Sequence, residues 1–139
     1  MKTAQKDIDK EATKDTRLKL IETASALIWS ESYNAVSVDE ICKKTGVKKG
    51  SFYHFFPSKA HLAMAAMDHT MEEMMRSYDE NFSATRPPLE RIKLMVQHVI
   101  KVQAEISEEL GHVCGCPHAT LGSELAADVE IGAQIAAIS

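Results

Sequence analysis

The spacing of apolar residues predicts a chain of helices. Residues 1–12 are charged and carry no apolar stripe, which predicts a flexible or frayed arm. A first helix is expected from about Thr16 to Glu31, because Leu20, Ile21, Ala24, Leu27 and Ile28 recur on one face, with Trp29 beside it in the core. A short second helix starts at Ser37, where Ser37-Val38-Asp39-Glu40 has the form of a capping box and Val38, Ile41 and Cys42 form an inner face. Thr45-Gly46-Val47 interrupts it, with Gly46 suited to a left-handed turn. A third helix spans roughly Lys48 to Phe55, directing Phe52 and Phe55 inward, and Pro57 stops it. Ser58 caps a long fourth helix to about Asn81, marked by Met64, Met67, Met71, Met74 and Tyr78.

After the turn Arg86-Pro87-Pro88, a fifth helix is expected from about Leu89 to Glu109. Its stripe of Leu89, Ile92, Val96, Val99, Gln103, Ile106 and Leu110 is widened by Met95, Ile100 and Val102, which predicts burial on more than one side. Gly111 ends it. Residues 112–118 form a loop, and a sixth helix starts near Pro117 with Leu121, Leu125 and Val129 inward. A last apolar segment runs from Ile131 to Ile138. The fold class is all-α: a three-helix unit over residues 1–60, then a helical domain over 61–139.

Composition narrows the function classes. Among 139 residues, 45% are apolar, which supports a packed core. No apolar run is long enough for a membrane span and the N-terminus is polar, so a cytoplasmic chain without a signal peptide is expected. Three cysteines, Cys42, Cys114 and Cys116, do not make a disulfide framework. The net charge of −4 is unevenly spread: residues 1–60 hold 11 basic against 8 acidic side chains, and residues 61–139 hold 5 against 12. Within Cys42–Lys59 there are five lysines and no acid, the footprint of a polyanion-binding surface.

Two helices joined by a short turn containing glycine are the helix-turn-helix arrangement, whose second helix enters the major groove of DNA. Its leading residues here are Lys48, Lys49, Gly50 and Ser51. Lysine can donate to guanine, serine can pair with several bases, and glycine permits close approach. Tyr53 and His54 would project outward to phosphates. The N-terminus of the fourth helix, with Ser58 and Lys59, offers amides, a dipole end and an ammonium to another phosphate.

The stretch Thr16–Leu62, with Val38-Asp39-Glu40-Ile41, Thr45-Gly46-Val47, Gly50-Ser51-Phe52-Tyr53-His54-Phe55-Phe56 and Ser58-Lys59, closely resembles the DNA-binding domain of the TetR family. The resemblance implies an all-helical homodimer that binds double-stranded DNA at a palindromic operator, usually as a repressor, and is released by a small molecule. It places Lys48, Lys49, Ser51 and Tyr53 on the base-contacting helix. Ser37, Thr45, His54 and Lys59 fall among the phosphate contacts. It also implies two further long helices, so that a chain ending at Ser139 reads as truncated. One departure is Ser32, which stands where the family commonly has a glycine before the aromatic residue, implying a helix cap weaker by roughly 1 kcal/mol.

Gly115-Cys116-Pro117 and Leu121-Gly122-Ser123-Glu124-Leu125 resemble the start of the sixth helix in many TetR-like regulators. The effector pocket implied there would be lined by Met67, Met71, Tyr78, Met95, His98, Val99, Cys116 and Leu121. Methionine adapts to varied apolar ligands, although the same stripe also reads as plain core. The ligand would be a small apolar or electrophilic molecule. His112-x-Cys114-x-Cys116-x-His118 has four metal-ligand types in poor spacing for one ion. Cys114 and Cys116 leave open a redox, electrophile or metal sensor acting on the same DNA-binding domain. No sequence feature activates either thiol for catalysis, and no cofactor loop is present, so neither an enzyme nor a cofactor is expected.

Overall fold

The structure, a computed structural model, describes residues 2–125, with side chains from Glu11 onward except those of residues 117, 118 and 120. It consists of six helices in chain order: α1 Lys2–Ser30, α2 Val38–Thr45, α3 Lys49–Phe55, α4 Lys59–Asn81, α5 Pro88–Leu110 and α6 Pro117–Leu125. Among the described residues there is no strand. The apolar segment expected from Ile131 to Ile138 lies outside them.

Helix α1 packs chiefly against α4 and α2. Its stripe delivers Leu20, Ile21, Ala24 and Leu27 into a core shared with Val36, Ile41, Cys42, Phe52, Phe56, Leu62 and Ala66. Burying several such side chains, each contributing about 1.5–3 kcal/mol, orders a unit whose α2 and α3 are too short to persist alone. A second cluster joins Tyr33, Ala60, Ala63, Leu121 and Leu125, which seats α6 against the foot of α4.

Three expectations are corrected. Residues 2–12, expected to be a flexible arm, continue α1 without a break. They lack an apolar stripe, but Ala, Lys, Gln and Glu favour helix and no glycine or proline intervenes. Phe56 is buried, whereas Phe55 is only partly covered. Helix α5 has no buried residue at all: Leu89 is 81% exposed, and Ile92, Val96, Val99 and Ile100 also face outward. Periodicity located its apolar face, but among the described residues only α4 lies substantially along it.

The loop between α1 and α2 carries one strained residue. Ser32 has φ 138°, a region that glycine tolerates and other residues avoid. Its hydroxyl accepts from the Ala35 N–H at 3.3 Å, a local compensation.

Candidate nucleic-acid interface

The interface is built on the turn between α2 and α3. Ser37 opens α2 in extended geometry, and its Oγ accepts from the Glu40 N–H at 3.2 Å. Asp39 and Glu40 then complement the positive end of the helix dipole, and Lys43 and Lys44 the negative end. Gly46 closes α2 with φ 71°, its N–H bonding Cys42 O. The next residue, Val47, also donates to Cys42 O at 3.2 Å, so the chain reverses within a few residues and enters α3 after Lys48.

One residue anchors α3. Phe52 is 0% exposed and meets Phe56 at 6.2 Å and Tyr53 edge-on at 5.1 Å between ring centroids. With Phe52 inward, Lys48, Lys49, Gly50, Ser51, Tyr53 and His54 are all exposed. A Cβ at Gly50 would meet no protein atom within 4 Å, so internal packing does not require glycine there. This row of donors begins at the residue before α3 and continues along that short helix. Asp39, at the start of α2, forms an ion pair with Lys49, Nζ to Oδ1 at 2.8 Å. The carboxylate pushes the Lys49 ammonium pKa above the usual lysine range, first through this hydrogen bond and then through its charge. Asp39 lies just outside the acid-free stretch Cys42–Lys59, so spacing alone shows it as part of the α2 cap and not as a partner of Lys49.

Two expected phosphate contacts are placed otherwise. Thr45 is 4% exposed. Its hydroxyl lies 2.8 Å from Ile41 O and 3.2 Å from Cys42 O, and accepts from the Val47 N–H at 3.4 Å. It braces the turn from inside, its hydroxyl serving the last carbonyls of α2 and the Val47 amide together. Lys59 is half-buried, donating to Tyr33 O and Val36 O, both at 2.9 Å, and lying 4.2 Å from the Tyr33 ring centroid. Burial lowers its pKa, opposed by the Glu124 charge. The cation therefore ties the loop before α2 to the start of α4. The amide of His61 at that start is also taken, by Ser58 Oγ at 3.3 Å.

The same loop is held from α6. Glu124 Oε2 accepts from the Tyr33 N–H at 2.7 Å, and Trp29 Nε1 donates to Gly115 O at 3.2 Å. These contacts span 91 and 86 residues of sequence, beyond any local pattern.

Of the residues expected to line an effector pocket, Met67 and Leu121 share a cavity of about 20 Å³ with Ser25, Ile28, Trp29, Ala66 and Thr70. That space holds about one water-sized molecule. The others do not join it. Met71 and Val99 are exposed, Tyr78 stacks edge-on with Phe82, and Met95 is half-buried on α5. His98 Nε2 and Ser77 Oγ lie 2.8 Å apart, which links α5 to α4. In the loop before α6, Cys114 is buried and Cys116 exposed, while the His112 ring engages Leu110 O. Alternate residues thus face different ways, and among the described residues no three metal-ligating side chains gather. Cys42 is buried, and burial together with Asp39 pushes its thiol pKa up.

Comparison with known proteins bears on the same segment. Residues 20–66 match the model of the family described as bacterial regulatory proteins, tetR family. The chain is 34% identical over 113 residues to an uncharacterized HTH-type transcriptional regulator, YxaF, of Bacillus subtilis (strain 168), covering 81% of this chain and 57% of that protein. It is 26% identical to the HTH-type transcriptional repressor KstR of Mycobacterium tuberculosis, covering 67% of this chain and 42% of that one. Among solved structures it resembles a regulatory protein TetR from Rhodobacter sphaeroides, with TM-score 0.67 and 31% identity over 79% of this chain and 57% of the other. The chain spans about half the length of these relatives. No helix among the described residues is long and apolar enough to cross a membrane.

Proposed function

The chain belongs to the TetR family of bacterial regulatory proteins, and on that premise we propose that it is a sequence-specific DNA-binding repressor. It acts as a homodimer at a palindromic operator and is released by a small apolar or electrophilic effector. The observation that carries the reading is the exposed row Lys48, Lys49, Ser51, Tyr53 and His54 on a helix whose only fully buried side chain is Phe52. Such a helix presents donors at its leading end to guanine O6 and N7, and a phenol and an imidazole to flanking phosphates. Ser37, exposed just before α2, is open to a flanking phosphate. KstR, a repressor by name, supports the direction of control.

Effector control needs two states of the reading head that a ligand distinguishes. The hydrogen bonds from Glu124 and Lys59 to the loop before α2 give α6 and α4 a hold on α2. A second reading, control through a thiol, is favoured by one observation: Cys116 is exposed immediately before α6, the helix that carries Glu124. Alkylating Cys116 would then change DNA affinity, and a Cys116→Ser chain would not respond.

The test of the main reading is selection of bound sites from a random-sequence duplex pool by the 139-residue chain, at low and near-physiological salt. An enriched inverted repeat is expected, its half-site spacing giving the distance between the two α3 helices. A single half-site would keep DNA reading and remove the dimer. No enrichment at either salt overturns the proposal.

A further inference from the structure

Between Ser37 and Lys59 the acids are Asp39 and Glu40, against five lysines. An acid on a face that meets polyphosphate is repelled by it, so its presence needs a chemical reason. Asp39 complements the dipole of α2 from its first turn, but that role does not require the contact its side chain makes. Its side chain is 74% exposed, and its one oxygen Oδ1 holds Lys49 Nζ at 2.8 Å, on the side of the turn where α3 begins. The Lys49 side chain is itself 56% exposed. The two groups therefore stand side by side at the surface, a donor next to an acceptor. A lysine ammonium has three N–H donors and gives one to Asp39; a carboxylate oxygen has more than one acceptor site, so Oδ1 can accept again while it holds Lys49.

We propose that Asp39 is a specificity-determining residue of the DNA interface, and that with Lys49 it reads one G·C base pair from the major groove. The inference rests on the DNA-binding reading above. On that edge guanine presents O6 and N7 as acceptors and cytosine presents the N4 amino group as a donor. Guanine O6 and cytosine N4 are themselves hydrogen-bonded partners, about 2.9 Å apart. That separation matches the 2.8 Å between Lys49 Nζ and Asp39 Oδ1. Lys49 donates to guanine while Asp39 accepts from cytosine. The reversed pair C·G sets donor against donor and acceptor against acceptor. A T·A pair offers an acceptor and a donor in the right order, but thymine puts its methyl group where guanine has N7, and the ammonium loses a partner. The ion pair also stops Lys49 from settling on any nearby phosphate, which exchanges indiscriminate affinity for discrimination.

The experiment measures the dissociation constant of the 139-residue chain on its selected duplex and on duplexes changed one base pair at a time, each over a salt series. The chain is compared with Asp39→Asn and Lys48→Ala, helicity being checked by circular dichroism. The parent chain should disfavour substitution of one G·C pair by roughly tenfold or more. Asp39→Asn should bring that position to within about twofold of indifference. Its binding should also fall more steeply with salt, by about one unit of log–log slope, as Lys49 turns to a phosphate. Lys48→Ala should weaken binding and leave the preference at that position intact. If Asp39→Asn keeps both the base preference and the salt slope, the ion pair is an idle surface contact and the inference is overturned. If the preference goes in Lys48→Ala as well, it does not belong to the Asp39–Lys49 pair. A parent chain that selects no duplex overturns the DNA-binding reading itself, and this inference with it.

Discussion

The backbone N–H of Tyr33 donates to Glu124 Oε2 at 2.7 Å, joining the loop after α1 to the last turn of α6. The carbonyl of the same residue accepts from Lys59 on α4. One peptide segment is thus held at both polar groups by two helices distant in sequence. Removing the Glu124 carboxylate leaves a partly buried N–H without its acceptor. Glu124→Ala should cost about 1–3 kcal/mol in urea unfolding, whereas Glu124→Gln, which retains an acceptor oxygen, should lose distinctly less. Equal losses would mean the hydrogen bond contributes little.

Thr45 separates bracing from contact. Thr45→Val keeps the shape and removes a hydroxyl that serves the backbone at Ile41, Cys42 and Val47. Stability should fall by about 1 kcal/mol. The dependence of DNA binding on salt should not change, because no phosphate contact is lost. A flattened slope in Thr45→Val would restore it as a phosphate ligand.

Ser32 is strained at φ 138°. Ser32→Gly removes the Cβ conflict and forfeits the Ala35 hydrogen bond. The balance should favour the glycine, raising stability by about 1 kcal/mol and the melting temperature by a few degrees. A lower melting temperature would show that the side-chain hydrogen bond outweighs the strain.

The cysteines should differ in reactivity. Burial, then the Asp39 charge, raises the Cys42 pKa, so its thiol stays protonated at neutral pH. The folded chain then keeps a proton that the unfolded chain releases. The Cys42 contribution to stability is complete below the ordinary thiol pKa and is lost as pH rises from there through the raised pKa of the folded chain. Iodoacetamide at pH 8 should label the exposed Cys116 first and leave Cys42 and Cys114 unmodified until denaturant is added. Rapid labelling of Cys42 would contradict its burial.

What was legible in the sequence was local. The Ser37 cap, the Gly46 turn and the stop at Pro57 depend on neighbours a few residues away, and the apolar stripe of α1 names its own buried face. The partners of Lys59, Tyr33 and Val36, lie 26 and 23 residues off, so no local pattern reveals the loop carbonyls beneath a lysine at a helix start. The burial of Thr45 is equally hidden from spacing, because a polar residue in a basic turn suggests the outside. The stripe of α5 was located but not its surroundings, since periodicity gives the direction of an apolar face and not what lies across from it. The expected pocket, drawn from residues on four segments of chain, depended on distances that no spacing encodes.

The short helix α3 has its inside and its outside assigned to different residues. Phe52 alone is fully buried on it and fixes where the helix lies, while Lys48, Lys49, Ser51, Tyr53 and His54 are exposed, with Lys49 paired to the likewise exposed Asp39. Exposed positions of this kind change stability by only about ±0.5 kcal/mol when substituted. The reading face can therefore be rewritten residue by residue with the scaffold left standing. A lineage carrying this fold can drift from one target sequence to another through intermediates that all remain folded, and a designer can follow the same route.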